Sequence, residues 1–514
     1  MGATATEPGG DASVRHSDGG PIVTIDGGAV RGTVKDGGYA FHGLPYAAAP
    51  TGQLRWKAPQ PAADWKGVRD ATGFAPSCPQ PMGLAQPGPT SEDCLYLNVS
   101  TPKPGKRHSA GRPVLVWIHG GGLVTGAGRE YDPTKLAAEG TVVVTVNYRL
   151  GALGFLSHPV LASRPGAPSG NYGLMDQQAA LRWVQHNIGR FGGDPRNVTI
   201  SGESAGGLSV LAHLTSPSSR GLFHRAIVQS GTFALKQQPL ATAQTAGQAF
   251  AAKAGCTDQT AKCLRDLPAA NLVNNWGPSA IPGVVDGRVL KESIGTSLAA
   301  GRFARVPILN GMNREEERVF VTRGGVVSGG FLPLPQGGVT AENYERTIAS
   351  VLGVSDARAK AVAQEYPLSA YPSPTLAFSA VSGDASFACS ALQVNKWTSK
   401  RVPTFAYEFN DDQSPARYFR LDPPPVATHG SEVHYLFDLP DAPFQDPFSA
   451  DQEKLSADMR AAWANFAAGG NPSTAAVPWL SFHNSTDVMS LVPPQPEVEK
   501  DFAAKHHCSF WAAG

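Results

Sequence analysis

The sequence of 514 residues lacks a long apolar run and lacks an excess of either charge. A transmembrane helix needs about 18 or more consecutive apolar residues, and no such stretch occurs, so we expect no membrane span. The 43 basic and 42 acidic residues give a net charge of +1. This balance, without a long basic run, gives no electrostatic reason to expect nucleic acid as a partner.

The first residues also lack the features of a signal peptide. Residues 1–20 contain neither a cationic segment nor an apolar segment, and they are rich in Gly, Asp and Ser. We predict that residues 1–20 form a flexible lead-in. If the protein is exported, we expect its signal to have been removed already.

Cysteine is scarce, and its spacing does not fit a metal site. None of the six cysteines forms a C-x-x-C pair, and no Cys/His cluster has the spacing of zinc ligands, so we expect no metal. Two cysteine pairs bracket short segments and two cysteines are far apart: Cys78 and Cys94, Cys256 and Cys263, Cys389 and Cys508. This arrangement favours an oxidised framework, and hence a secreted or periplasmic protein, over reduced buried cysteines.

Short apolar runs alternate with helical patterns from residue 113 onward. One helical pattern places Met175, Ala179, Trp183, Val184 and Ile188 on a single face. The pattern predicts an α/β fold with a large, mostly parallel sheet covered by helices on both faces. The predicted strands are Pro113–Gly120, Val142–Arg149, Asn197–Gly202, Arg225–Gly231, Arg305–Gly311 and Val402–Phe409.

The two flanking regions differ from this pattern. Residues 21–100 alternate more strongly and are rich in turns, which predicts N-terminal antiparallel strands. Residues around 320–400 contain helical windows that predict an insertion packed on one side of the sheet. We therefore predict a single catalytic domain over residues 21–514.

The most informative segment contains a serine between two glycines. Gly202-Glu203-Ser204-Ala205-Gly206 matches G-x-S-x-G, between an apolar strand and a helical pattern. In α/β-hydrolases this sharp turn lifts the serine hydroxyl above the carboxyl edge of the sheet. Small residues two positions on either side avoid collisions in the turn. The segment therefore predicts Ser204 as a nucleophile rather than part of an ordinary glycine turn.

A second glycine-rich segment follows an earlier strand. His119-Gly120-Gly121-Gly122 matches the H-G-G-G loop that supplies backbone N–H groups to an oxyanion in hydrolases with this turn. We predict that Gly121, Gly122 and Ala205 form the oxyanion hole. The alternative is a structural glycine turn, but two such motifs in the expected order make coincidence a weak explanation.

A serine nucleophile requires a base and an acid, which in this fold follow it as acid and then histidine. His429 is the favoured base because it lies in a loop rich in Pro and Gly after the last strong strand. His213 and His224 are too close to the helix after Ser204 to return to it. The sequence pattern alone leaves the later histidines open: His434, His483, His506 and His507.

Beyond these motifs, the chain resembles the type-B carboxylesterase/cholinesterase family from about Val30 to the C-terminus. The resemblance rests on segments in one order: Phe41–Ala47, Ser91–Val99, His119–Gly122, Asn147–Leu156, Asn171–Pro195, Gly202–Gly207, His429–Glu432 and Cys508–Trp511. It implies the α/β-hydrolase fold. It also implies hydrolysis of small carboxylic esters to acid and alcohol through an acyl-enzyme, without a metal or organic cofactor.

The resemblance implies a role for individual residues. Ser204 matches the nucleophile, His429 the base, and Glu316 the acid. Glu317 stands where the family usually has glycine, so Glu315 and Glu317 remain alternatives for the acid. The resemblance also places Glu203 and Ser230 close to the triad, where they have a supporting role or a structural one.

The resemblance further implies the disulfides Cys78–Cys94, Cys256–Cys263 and Cys389–Cys508. Three alternatives to a general carboxylesterase remain at this stage. They are a specialised detoxifying esterase or a lipase acting on a bulky natural ester, an amidase, and an inactive adhesion module of the cholinesterase type. The presence of Ser204, His429 and a candidate acid argues against the inactive module.

Overall fold

The computed structural model describes residues 15–17, 19–83, 88–103, 111–162, 169–276, 283–323, 332–421 and 427–513. Most of the predicted lead-in, residues 1–14 and 18, lies outside this part of the chain. Within that predicted range, Arg15–Ser17 forms a strand that pairs with the next one. None of the helices in the described ranges is long and apolar enough to cross a membrane.

The strands of the described residues are short and follow the chain in this order. They are β1 Arg15–Ser17, β2 Gly20–Ile25, β3 Gly28–Arg31, β4 Thr33–Lys35, β5 Gly38–Pro45, β6 Val68–Asp70, β7 Tyr96–Pro102, β8 Arg112–Ile118, β9 Val142–Val146, β10 Gly193–Glu203, β11 Arg225–Gln229, β12 Gln238–Pro239, β13 Val284–Val285, β14 Ile308–Asn313, β15 Thr404–Phe409, β16 Val488–Leu491 and β17 Glu497–Glu499.

The helices of the same ranges connect these strands. They are α1 Thr134–Ala138, α2 Gly151–Phe155, α3 Tyr172–Asn187, α4 Ala205–Thr215, α5 Leu240–Lys253, α6 Ala261–Asp266, α7 Ala269–Asn275, α8 Ile294–Ala299, α9 Arg318–Thr322, α10 Tyr344–Leu352, α11 Asp356–Glu365, α12 Pro374–Gly383, α13 Cys389–Thr398, α14 Ala450–Gly469, α15 Phe502–Lys505 and α16 Cys508–Ala512.

The main sheet has 11 strands in the order β17-β16-β15-β14-β11-β10-β8-β9-β7-β5-β4. The strands from β16 to β9 in this order are parallel. At one edge β7, β5 and β4 are antiparallel, and at the other edge β17 is antiparallel. A separate sheet contains β1, β2, β3 and β6. The predicted mostly parallel sheet with N-terminal antiparallel strands is confirmed.

The two faces of the main sheet belong to two hydrophobic cores. Val114 and Val116 of β8 pack in one core with residues of α3 and α4, such as Leu181. Leu115, between the two valines, packs in the other core with α14. Because successive side chains of a strand point to opposite faces, an uninterrupted apolar run is buried on both sides. The continuous apolar runs in the sequence therefore indicate strands that are covered by helices on both faces.

The range of the predicted helical insertion lies between β14 and β15. It contains α9 to α13, of which α10, α11 and α12 pack Tyr344, Ile348, Val362 and Phe378 into a separate core, whereas α13 packs into other cores. Residues 324–331 of this range lie outside the described residues. The assignment of these helices as an insertion, and of residues 21–514 as a single domain, stays a prediction.

Three disulfides join the cysteines in the pairing that the resemblance implied: Cys78–Cys94, Cys256–Cys263 and Cys389–Cys508. The third connects the start of α13 to the start of α16, across a sequence separation of 119 residues. It therefore fastens the C-terminus to the helices that precede β15.

The parallel strands bring the predicted site residues to one edge of the sheet. The strands β14, β11, β10 and β8 are parallel and follow one another in this order in the sheet. Their carboxyl ends therefore lie at the same edge. His119 follows β8, Ser204 follows β10, and Glu316 follows β14. In open α/β sheets, ligands bind outside the carboxyl ends of the strands.

Candidate active site

Ser204 occupies a strained turn between β10 and α4. Its φ of 56° and ψ of −124° lie in a region that residues with a side chain rarely adopt. The Ser204 N–H donates to the carbonyl oxygen of Gln229 at 2.9 Å, which helps to hold the turn. Such a conformation costs about 1–3 kcal/mol and persists only where the surroundings enforce it. The turn is thus built into the packing of the sheet.

The glycines on both sides of Ser204 have no room for a side chain. A Cβ on Gly202 would lie 2.5 Å from the carbonyl carbon of Gly206. A Cβ on Gly206 would overlap the carbonyl oxygen of Ile118 at the end of β8. The G-x-S-x-G spacing therefore follows from the close approach of α4 to β8 and β10.

His429 contacts one of the three consecutive glutamates that follow β14. Its Nδ1 lies 2.5 Å from Oε2 of Glu316, whose side chain is fully buried. The other carboxylate oxygen of Glu316 accepts the backbone N–H of Asn313 at 2.8 Å. The His429 N–H donates to the Glu316 carbonyl oxygen at 3.3 Å. These contacts fix the imidazole through Nδ1 and leave Nε2 for another partner.

The two alternative glutamates have other surroundings. Glu315 pairs with Nη1 of Arg318 at 2.7 Å, and its side chain is 40% exposed. Glu317 is buried, and burial raises the pKa of its carboxyl to about 7. Neither side chain forms a hydrogen bond with His429 in the described residues. The geometry therefore favours Glu316 as the partner of His429.

Glu203 lies on the opposite side of the imidazole. Its Oε1 is 3.2 Å from His429 Nε2, although the angles do not form a hydrogen bond. Burial raises the pKa of Glu203 to about 8, while the neighbouring His429 lowers it. Burial lowers the pKa of His429, but Glu203 and Glu316 outweigh it and raise that pKa to about 10. The two groups titrate together, because each protonation state changes the other.

Three backbone N–H groups near Ser204 have no acceptor. Those of Gly121, Gly122 and Ala205 donate to no group in the part of the chain that the structure describes. Gly121 and Gly122 have φ values of 90° and 64°, which glycine adopts without strain. Ala205 is the first residue of α4, where an N–H has no partner within the helix. This arrangement can stabilise a negatively charged oxygen.

A buried network supports the acid side of the site. Nδ2 of Asn313 donates to Oγ of Ser230 at 3.2 Å and to Oε2 of Glu432 at 2.7 Å. Nε2 of Gln229 donates to the other oxygen of Glu432 at 3.0 Å. Because the Asn313 N–H also donates to Glu316, the network connects Ser230 to the candidate acid. Ser230 thus contacts the surroundings of Glu316 and not His429 itself.

Ser204 and His429 line one narrow cavity of about 80 Å³. Gly120, Gly121 and Gly122 form one side of it, and Phe320 and Tyr418 lie on the other walls. The rings of Phe320 and Phe387 lie 5.1 and 5.4 Å from the His429 ring and enclose it. No hydrogen bond joins Ser204 to His429 among the described residues. Such contacts are often long in a site without substrate.

Sequence reasoning assigned no role to several residues of this site. Glu432 ends the segment His429–Glu432 on which the resemblance rests, and Asn313 lies three residues before Glu316, so this spacing was the available signal. Glu130 also lines the cavity, and burial raises the pKa of its carboxyl to about 8. No local pattern indicated that this glutamate is buried.

The fold and the site define an α/β-hydrolase with a serine on the turn after a central strand. The sequence profile described as "Carboxylesterase family" matches residues 19–511. The chain belongs to the carboxylesterase family, and it is a carboxylic ester hydrolase. An inactive adhesion module is therefore no longer an alternative.

Named relatives cover nearly the whole chain. Acylcarnitine hydrolase of Mus musculus is 35% identical, over 96% of this chain and 90% of that protein. Para-nitrobenzyl esterase of Bacillus subtilis is 35% identical, over 93% of this chain and 96% of that protein. A solved structure of a PNB esterase superposes with a TM-score of 0.79 at 34% identity, covering 95% of this chain and 98% of that chain.

Proposed function

We propose that this esterase cleaves its substrate through an acyl-enzyme on Ser204. His429 Nε2 accepts the Ser204 proton as the hydroxyl oxygen attacks the ester carbonyl. The carbonyl oxygen becomes negatively charged and accepts hydrogen bonds from Gly121, Gly122 and Ala205. His429 then donates the proton to the departing alcohol. Water repeats the sequence and releases the carboxylic acid.

Glu316 acts in this mechanism through His429. Its hydrogen bond to Nδ1 fixes the tautomer in which Nε2 can accept a proton, and its charge stabilises the imidazolium that forms. We propose that Glu203 tunes the pKa of this imidazole from the side of Nε2. Ser230 is proposed to position Glu316 through Asn313.

The observation that carries the proposal is the convergence of three arrangements at one edge of the sheet. The strained Ser204 shares a cavity with His429, His429 is fixed by Glu316, and three N–H groups close by lack acceptors. Ester hydrolysis uses all three.

The first test replaces Ser204 by Ala and measures hydrolysis of p-nitrophenyl butyrate. We expect kcat to fall by about 10⁶-fold, since removing the nucleophile of a serine triad has an effect of that order. Ser218→Ala is the matched control because Ser218 is exposed and lies outside the cavity. Hydrolysis by Ser204→Ala at the rate of the control would refute the proposal.

The compartment and the substrate range are also proposals. Three disulfides are consistent with a secreted or periplasmic protein, because disulfides persist in oxidising compartments. The names of the relatives describe hydrolases of small esters, such as the human cocaine esterase, which is 35% identical. We propose that this enzyme likewise acts on small ester substrates. The chemistry described here does not require a cofactor.

A further inference from the structure

A second, larger cavity borders the catalytic one. It has a volume of about 650 Å³, and its walls come mainly from residues 413–421, 428–434 and 446–452. Four residues line both cavities: Phe320, Tyr418, His429 and Gly430. The larger cavity therefore begins at the imidazole, and a substrate in the narrow cavity can extend into it.

Arg417 is the charged residue of this cavity without an ionic partner. Its Nη1 donates to the carbonyl oxygens of Ala416 at 3.0 Å and Asp446 at 2.8 Å. In the described ranges it forms no salt bridge, since the carboxylate of Asp446 pairs with Arg420 instead, at 2.6 Å. Arg417 is half-buried, and this burial lowers the pKa of its guanidinium. A guanidinium in this environment is stabilised when it forms charge-assisted hydrogen bonds with a carboxylate.

Aromatic contacts hold this guanidinium in place. Arg417 lies over the ring of Phe448 at 5.5 Å, and His434 stacks on the same ring at 5.2 Å with an interplanar angle of 11°. Burial and the charge of Arg417 lower the pKa of His434 well below its usual range, so this imidazole is neutral. Its Nε2 is buried and has no hydrogen-bond partner among the described residues.

Apart from the catalytic imidazole of His429, the ionised side chains of the lining leave a net positive charge in the cavity. Arg417 and Arg420 contribute two positive charges, and Asp446 contributes one negative charge. Since Arg420 and Asp446 neutralise each other, the excess charge is that of Arg417. This distribution favours a ligand group that carries one negative charge.

The proposed mechanism determines which half of an ester reaches this cavity. The N–H groups of Gly121, Gly122 and Ala205 bind the carbonyl oxygen, and His429 protonates the alcohol oxygen. The alcohol half therefore lies beside His429, where the larger cavity begins. Resting on the proposed function, we propose that this cavity binds the alcohol half of the substrate and that Arg417 pairs with a carboxylate on that half.

The test uses butyrate esters of ω-hydroxy carboxylic acids in a series of increasing methylene chain length. The corresponding ω-hydroxy amides are neutral controls of similar size, and the released butyric acid is titrated at constant pH. We expect one chain length at which kcat/KM of the carboxylate ester exceeds that of the amide by about tenfold or more, as for a charge-assisted pair. Equal kcat/KM values at every length would overturn the proposal.

Variants of Arg417 test whether this residue causes the preference for carboxylate esters over amide esters. Arg417→Gln should bring the ratio of the two kcat/KM values close to one, while Arg417→Lys should keep part of the preference. Arg346→Gln is the matched control, because Arg346 is exposed on α10 and does not line the cavity. An unchanged ratio in Arg417→Gln would also overturn the proposal.

The two proposals fail in different ways. Hydrolysis of the amide-bearing esters needs the catalytic residues but not Arg417. The proposed function is therefore tested by whether the wild type hydrolyses these esters and Ser204→Ala does not. Hydrolysis of the amides without a preference for carboxylates rejects the role of Arg417 alone. A preference for ω-ammonio esters over the amides would reject it as well, since it would indicate a negatively charged cavity.

Discussion

At the scale of single residues, the site depends on how the side chains of Glu203 and His429 share protons. Glu203 and Glu316 lie on opposite sides of His429, and both raise its pKa. A general base must be neutral at the working pH. Protonation of Glu203, which burial favours, removes one of the charges that keep His429 protonated. An ionised Glu203 therefore opposes the loss of the proton that His429 must release before it can act as a base.

This sharing predicts a pH effect of Glu203→Gln. The substitution removes a carboxylate that raises the pKa of His429, so this pKa falls and the imidazole is neutral at lower pH. We expect the acidic limb of the profile of kcat/KM against pH to move to lower pH by about one unit or more. The measurement is hydrolysis of p-nitrophenyl butyrate across the pH range. An acidic limb in the wild-type position would contradict this account of the pair.

A second residue-scale prediction separates the neighbouring glutamates. Glu316→Gln should lower kcat by about 10⁴-fold, because the amide favours the wrong tautomer of His429. Glu317→Gln is the matched variant and should lower kcat by less than about tenfold, since its side chain does not bond His429. Kinetics on p-nitrophenyl butyrate compares them. A larger loss in Glu317→Gln would reverse the assignment.

Sequence reasoning proposed Ser204, His429 and Glu316 as the main site residues, but it did not predict the groups around them. Ser204 was predicted from the strand–turn–helix pattern around it, a local signal. The geometry of His429 and Glu316 is consistent with the assignment that the resemblance implied. The network of Gln229, Asn313 and Glu432 joins residues that are far apart in sequence, so no periodicity reports it. The contact of Arg417 with Phe448 could not be predicted either, because these two residues are also far apart in sequence.

At the scale of elements, the turn after β10 depends on the close packing of α4 against β8. We predict that Gly206→Ala destabilises the protein by about 1–3 kcal/mol and strongly reduces hydrolysis, because the new Cβ collides with the Ile118 carbonyl. Gly469→Ala in α14 is the matched control, since nothing lies within 4 Å of its Cβ. Urea unfolding measures both. If Gly206→Ala had the same free energy of unfolding as the wild type, the turn would accommodate a Cβ at this position, contrary to the prediction.

The central strands were predictable because burial on both faces leaves continuous apolar runs. Val142–Val146 is entirely buried, and the strand predicted over Val142–Arg149 begins at the same residue. Some predicted strands ran past the observed ends, as in Pro113–Gly120 against Arg112–Ile118, where the glycines after the strand belong to a loop of the site. Others ended early, as in Arg305–Gly311 against Ile308–Asn313. Strands β16 and β17 were not predicted, since they are short and lie at the sheet edge.

At the scale of the whole molecule, the C-terminus is fastened by a buried ionic cluster next to the third disulfide. Nδ1 of His506 lies 2.5 Å from Asp384 and Nε2 lies 2.6 Å from Glu408. Burial lowers the pKa of His506, but the two carboxylates outweigh it and raise that pKa to about 10. The cluster holds α15 and α16 against the helices before β15, close to Cys389–Cys508.

This cluster predicts a loss of stability at alkaline pH. Because the pKa of His506 is raised on folding, its stabilisation is fully present below about pH 6.5 and is lost as the pH rises through about 10. The free energies of unfolding of the wild type and His506→Gln should therefore converge toward about pH 10. His483→Gln is the control, since His483 is 79% exposed. A difference that does not change with pH would contradict the role of His506.

We propose that the fold prepares Ser204 to form a covalent bond with its substrate. The most direct measurement is the mass of the intact enzyme after reaction with an organophosphate, diethyl p-nitrophenyl phosphate, followed by peptide mapping. The account predicts a single added diethyl phosphate on Ser204 and none in Ser204→Ala. Attachment to a different residue, or an equal mass gain in Ser204→Ala, would contradict it.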